Sequence, residues 1–277
     1  MIRPQTRYFR LLPALFVLAL AATACDVSVG ENGFSMDIVS GKAQDEWKRT
    51  YKLAANGHLD IENINGTINA SPSDTAEVEV RAERIAKASS DEAARELLKK
   101  IEIIDTETPD KVHIETKVPK ISWGRSGHEV RYWVKVPKGL AVNFETTNGG
   151  VRLENIEGEI VANTTNGGVR GSGLRGPVKA STTNGGVEID MAAVTGEIEL
   201  DTTNGGIRLR LPHDAKANID ASCVNGGVGV EDFDFQGEKS RRRMTGTING
   251  GGPKVNAETV NGGVRISAGS GAAAESK

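Results

Sequence analysis

The pattern Thr-Thr-Asn-Gly-Gly followed by Val or Ile occurs four times, at Thr146, Thr164, Thr182 and Thr202, with altered copies at Cys223 and Thr259. Its asparagines are Asn148, Asn166, Asn184, Asn204, Asn225 and Asn261, at steps of 18, 18, 20, 21 and 36 residues. A repeat this short means one small unit stacked on itself. Aligned on the asparagine, the columns are uniform. Six residues before it stand Val142, Ile160, Val178, Ile198, Ile219 and Val255; two before it stand Thr146, Thr164, Thr182, Thr202, Cys223 and Thr259. Three after it stand Val151, Val169, Val187, Ile207, Val228 and Val264. Polar residues intervene, so each unit reads as two strands with one buried and one wet face.

Asn-Gly is also the strongest short hairpin signal, which makes an antiparallel meander the alternative. A β-solenoid accounts for more. Stacked two-strand coils of about 18–21 residues keep every column chemically constant and let the asparagines form an amide ladder at one corner. A thin coil also suits the composition, since Phe233 and Phe235 are the only aromatics after Thr146. The expected fold is therefore mainly β, a solenoid over residues 141–268, with Glu231–Met244 as a looped-out or distorted coil and Arg243 standing where an asparagine is due. Residues 46–140 are expected to be a looser β-rich part that covers the first coil. There Leu59, Ile61, Asn65, Gly66 and Ile68 repeat the unit's offsets. One helix interrupts, with Ser89 and Glu92 as a capping box ahead of Ala93, Ala94, Leu97, Leu98 and Ile101. Residues 269–277 read as a disordered tail.

The N-terminus carries Arg3, Arg7 and Arg10, then an apolar run from Leu11 to Ala21 that is short for a membrane span, then Ala22-Thr23-Ala24. Residues 1–24 thus read as a cleaved export signal. Cys25 follows at once, an arrangement that resembles a bacterial lipobox in which the cysteine thiol is lipidated. Ala-x-Ala also suits the ordinary signal peptidase, which would leave Cys25 unmodified. Residues 25–45 become a lipid-anchored N-terminus and linker, and the location an anchored lipoprotein on the periplasmic face or cell surface. With Cys25 so used, Cys223 has no internal disulfide partner. The whole chain has 34 basic and 37 acidic residues, a formal charge of −3. An exported chain of that sign is a poor partner for nucleic acid.

The run Gly57-His58-Leu59-Asp60-Ile61-Glu62-Asn63, the helix after Ser89, Val134-Lys135-Val136-Pro137-Lys138-Gly139 and the serial Asn-Gly-Gly units together resemble the DUF4097 family of adhesin-like proteins. The resemblance covers about Gly57 to Ile266. It implies an envelope β-solenoid, often anchored, with no established activity and no catalytic residues to carry over.

Motifs for chemistry are thin. Gly171-Ser172-Gly173-Leu174-Arg175-Gly176 matches G-x-G-x-x-G, but Pro177 and a strand follow where a phosphate site needs a helix. Gly185-Gly186-Val187-Glu188-Ile189-Asp190 only partly matches a β-roll calcium pattern. His58, His113, His128 and His213 lack metal-ligand spacing. Ser126 lacks the second glycine of a nucleophile elbow. Lys239, Arg241, Arg242 and Arg243 are expected to be neutralised by Glu231, Asp232, Asp234 and Glu238. No catalytic residue, metal or cofactor is assigned.

One row stands out. Four residues after each asparagine come Arg152, Arg170, Glu188, Arg208, Gly229 and Arg265. Stacked coils would align them on one outward face, where guanidinium forks match carboxylate and phosphate. The competing account is cross-strand pairing with Glu154, Glu188 and Asp190. The expected function is a non-enzymatic, adhesin-like binding or scaffold surface for envelope polysaccharide or another envelope protein. The alternatives are a polysaccharide-active β-helix lyase or hydrolase and a protein-partner module in envelope stress signalling.

Overall fold

The computed structural model describes residues 26–30, 33–37, 41–54, 56–118 and 126–269. Cys25, the expected export signal over residues 1–24 and residues 270–277 lie outside them. Two units are distinguished, residues 1–38 and 39–277. The first contains the antiparallel pair β1 (Asp26–Gly30) and β2 (Gly33–Asp37).

The second unit opens with β3 (Gly41–Tyr51), β4 (His58–Asn65), β5 (Ile68–Pro72) and β6 (Val78–Ala88). Residues 41–45, assigned to the linker from sequence, are thus the first half of β3, paired along its length with β6. The helix α1 (Asp91–Leu98) follows. Its cap is Ser90 rather than Ser89, because the Ser90 side chain accepts from the Ala93 N–H and leaves Glu92 one position short of a capping box. Next come β7 (Glu102–Glu107), β8 (Lys111–Lys117) and β9 (Gly127–Val136).

The repeats then supply paired strands: β10 (Ala141–Asn148) and β11 (Val151–Glu154), β12 (Ile160–Asn166) and β13 (Val169–Arg175), β14 (Val178–Asn184) and β15 (Val187–Ala193), β16 (Ile198–Asn204) and β17 (Ile207–Leu211). After β18 (Ala217–Asn225) and β19 (Val228–Val230) come β20 (Phe235–Lys239) and β21 (Arg243–Ile248), then β22 (Lys254–Asn261) and β23 (Val264–Ala268). The two strands of a unit never pair with each other, which rules out the meander. One enters an 11-stranded sheet, the other a 10-stranded sheet. Within each sheet equivalent residues pair in parallel, Asn148 with Asn166 and Val151 with Val169 for example. Inward columns from both sheets form one core in which Phe144, Ile160, Ala180, Leu200, Val169 and Ile189 are buried.

Chain order and stacking order differ at both ends. In the 11-stranded sheet β22 lies between β16 and β18, and in the 10-stranded sheet β23 lies between β17 and β19. The chain leaves a slot after β17, builds the outer unit, and returns to fill the slot last. Glu231–Met244 adds no parallel strand to the stack, in keeping with a looped-out segment rather than a distorted coil. Instead β20 and β21 form an antiparallel pair along the outer edge of β18, and Arg243 pairs with Asp220 at 2.8 Å. At the other end β4 sits between β8 and β10, and β5 between β9 and β11. Antiparallel β3, β6 and β7 finish that end. Such strands cover edges that a parallel stack would otherwise expose. Gly269, read from sequence as tail, is buried and donates its N–H to the Leu211 carbonyl at 2.8 Å.

The corner explains the repeated residues. Each asparagine Nδ2 donates to the Oδ1 of its spatial neighbour, from Asn225 through Asn261, Asn204, Asn184, Asn166 and Asn148 to Asn65, at 2.7–2.9 Å. The first glycine of each pair packs its Cα against the next corner's carbonyl. A Cβ on Gly167 would stand 1.9 Å from the Gly149 oxygen. That same oxygen accepts from the buried Thr164 hydroxyl at 2.8 Å, and Thr182 does the same to Gly167. Thr182→Val should therefore strand a buried carbonyl and cost about 1–3 kcal/mol. Urea unfolding checks this; a midpoint equal to wild type would show that the hydroxyl is dispensable.

Candidate binding face

Outward side chains of the 10-stranded sheet build the candidate site. Strand register places Arg152, Arg170, Glu188, Arg208 and Arg265 side by side on β11, β13, β15, β17 and β23, with Gly229 at the end. Neighbouring strands lie about 4.8 Å apart, which sets the spacing of the row. The row continues past the repeats. Asn69 pairs with Arg152, Trp133 with Asn69, Arg81 with Trp133 and Lys48 with Arg81. Asn69 follows Asn65 by the same four-residue offset, so it was readable. Trp133 was not, because nothing local to β9 states that it pairs with β5.

Pairing within the row is concentrated on one carboxylate. Glu188 meets Arg170 at 3.9 Å and Arg208 and Arg210 at 3.3 Å each; Arg265 meets Glu231 at 3.6 Å. Glu154 and Asp190 form no ion pair among the described residues, contrary to the sequence-based pairing. The guanidiniums stay open to solvent, with side-chain exposures of 68% for Arg170 and 63% for Arg265. Exposed pairs of this kind contribute about 0–1 kcal/mol and yield readily to a competing anion. Beside the row runs a groove of about 840 Å³ whose floor is bare backbone at Gly168, Gly186, Gly206, Gly263 and Gly227.

The opposite face has the reverse character. Glu115, Glu62 and Glu145 stand in register on β8, β4 and β10. Burial, then Glu199 and Glu258, raise the Asp201 carboxyl above its ordinary range. The two outward faces thus carry opposite charge.

The other residues singled out from sequence are dispersed. Gly171–Gly176 lies in and beside β13, with no helix to receive phosphate. Gly171 sits where the neighbouring strand β15 has Ile189, and the Leu174 side chain packs over it, leaving 2.5 Å for any Cβ. Glu188 and Asp190 point outward from β15, and among the described residues no group of three His, Cys, Asp or Glu side chains could hold a metal. Lys239 stacks on Phe235 at 4.9 Å, and Glu231 serves Arg265 rather than the Arg241–Arg243 run. Cys223 is buried in the threonine column. Ser126 directly precedes β9.

His128 ends the amide ladder. Asn65 uses its Oδ1 for Asn148, so its Nδ2 donates to His128 Nε2 at 2.6 Å, which requires the ring to accept there. Burial lowers the imidazole's proton affinity below the ordinary value of 6.5. The unfolded chain therefore takes up a proton that the folded one resists. This contribution is full above pH 6.5 and drains as pH falls below it. His128→Gln keeps an acceptor but cannot titrate. Between about pH 7.5 and about pH 5.5 wild type should lose more stability in urea than this variant; equal losses would contradict the assignment.

Residues 134–267 match the family model described as Toastrack DUF4097. No curated protein matches the chain significantly. Among solved structures the chain is similar to a "putative cell adhesion protein" from Clostridium sporogenes, at 14% identity and a TM-score of 0.47, covering 82% of this chain and 100% of that one. It is also similar to a "putative adhesin" from Bacteroides fragilis, at 13% identity and a TM-score of 0.38, covering 80% and 96%.

Proposed function

Residues 134–267 of this chain belong to the DUF4097 family, and from that premise we propose a non-enzymatic, adhesin-like binding module for anionic polymer in the bacterial envelope. In this reading the two sheets are the sides of one β-solenoid, four of whose six repeat turns contribute an outward arginine, and Cys25 carries the lipid anchor. The observation that carries it is the in-register row of Arg152, Arg170, Arg208 and Arg265 beside a glycine-floored groove. The row runs across the strands, along the stacking direction. A linear polymer can therefore meet the four cations, which stand on either side of Glu188, while a small ligand would meet one or two.

The test is co-sedimentation of the detergent-solubilised full chain with sodium polygalacturonate, a linear acidic polysaccharide. Retention should fall as salt rises, because solvent-exposed charges are screened. The double variant Arg170→Glu, Arg208→Glu reverses two cations and should weaken retention roughly tenfold or more. Undiminished retention by that variant would remove the arginine row from the account. Shortening of the polymer would overturn the non-enzymatic reading.

A further inference from the structure

A second groove of about 620 Å³ opens on the same face, where the arginine row runs into the N-terminal strands. Trp133 lines it, partly exposed, with the Arg81 guanidinium stacked over one face of the indole 3.8 Å from its centroid. Asn69 and Ser71 supply amide and hydroxyl groups, and the cations Arg152, Lys135, Lys48 and Arg49 outnumber the carboxylates Glu79 and Glu154. Asn69 is fixed, its Nδ2 donating to the Tyr132 carbonyl and the Thr67 hydroxyl, both at 3.2 Å. It in turn receives Arg152 at 3.5 Å. Among the described residues neither Arg152 nor Lys135 forms an ion pair, in contrast to Arg170 and Arg208. Arg81 is held by Glu46 at 3.2 Å, so the cation on the indole is itself positioned.

An aromatic plate, an oriented amide and two unpaired cations are the complement of one ligand chemistry. A sugar ring offers an apolar C–H face to stack on indole, hydroxyls for the amide, and, when it is a uronic acid, a carboxylate for guanidinium. Trp133 and Arg152 lie two strands apart, about 10 Å, so one polymer can use both and continue onto the arginine row. Resting on the polyanion reading above, we infer that Trp133 forms a sugar-stacking subsite and that the polymer bound is an acidic polysaccharide of the uronate type. Polyphosphate has no apolar face and gains nothing from Trp133. Single-stranded nucleic acid stacks base after base on successive aromatics, whereas the row from Lys48 to Arg265 holds one indole, Trp133.

The test measures binding of the full chain in detergent to polygalacturonate, polyphosphate and oligo(dT), for wild type, Trp133→Ala and Trp133→Phe. Trp133 points away from the core, so both variants should keep the wild-type circular dichroism spectrum. Trp133→Ala should lose roughly tenfold or more of its polygalacturonate affinity while its polyphosphate affinity stays unchanged, and Trp133→Phe should recover most of the loss. Equal polygalacturonate binding by wild type and Trp133→Ala, with Arg170→Glu, Arg208→Glu still weakened, would overturn this inference and leave the polyanion reading standing. A preference for oligo(dT) that depends on Trp133 would overturn the sugar assignment. No binding of any polymer by wild type would overturn both.

Discussion

Gly185→Ala should abolish cooperative folding. The added Cβ would lie 2.0 Å from the Gly167 carbonyl oxygen and 2.5 Å from its carbon, both backbone atoms. Gly167 cannot retreat. Its N–H is bonded to the Asn184 carbonyl at 2.9 Å, and its oxygen is held by Thr182 at 2.8 Å. Gly185 is tied equally, to the Asn204 carbonyl at 2.9 Å. Relief means opening a corner in the middle of the stack, which breaks the amide ladder and two parallel registers together. The expected loss is about 4 kcal/mol or more, comparable with the whole stability of many domains. Urea unfolding would show no folded baseline. Gly127→Ala is the control, since nothing stands within 4 Å of its Cβ position, and it should unfold within about 0.5 kcal/mol of wild type. A stable Gly185→Ala protein would refute the close approach of the corners.

Phe144→Ala is the second large effect. Phe144 is fully buried, in register with Ile61 on one side and Ala162 on the other. It occupies the column where later units carry Ala162, Ala180 and Ala257. The ring thus fills the core where the repeats meet the N-terminal strands, and Ala162 beside it is too small to close the space. The expected cost is about 3–5 kcal/mol. Phe144→Leu keeps most of the volume and should cost about 1.5 kcal/mol or less. A Phe144→Ala protein destabilised by under about 1 kcal/mol would mean that the site collapses freely.

What could be read from sequence is what repeats. Thr182, Asn184, Gly185 and Val187 each recur at a fixed offset, so their columns, burial and shared corner follow from any in-register stacking. The arginine row follows by the same logic, as does Asn69. Stacking order could not be read, because parallel coils of the same shape are interchangeable to a local pattern. The 36-residue step before Asn261 leaves a looped-out segment and a distorted coil both open. It is the path of β20 and β21, after which β22 lies between β16 and β18 and β23 between β17 and β19. Trp133 was missed for a related reason. Its side chain joins the row only through the pairing of β9 with β5 and β6, which is set by tertiary contacts over long sequence separations. The cap at Ser90 rather than Ser89 was a one-residue choice between two good capping side chains.

The most direct measurement is hydrogen exchange of the full chain with and without polygalacturonate. Ligand on the arginine face should slow exchange in Val151–Glu154, Val169–Arg175, Val187–Ala193, Ile207–Leu211 and Val264–Ala268, and in β9 around Trp133. The partner strands ending at Asn148, Asn166, Asn184 and Asn204 should be unchanged on their acidic face. Protection confined to those partner strands, or spread evenly over both sheets, would contradict the account.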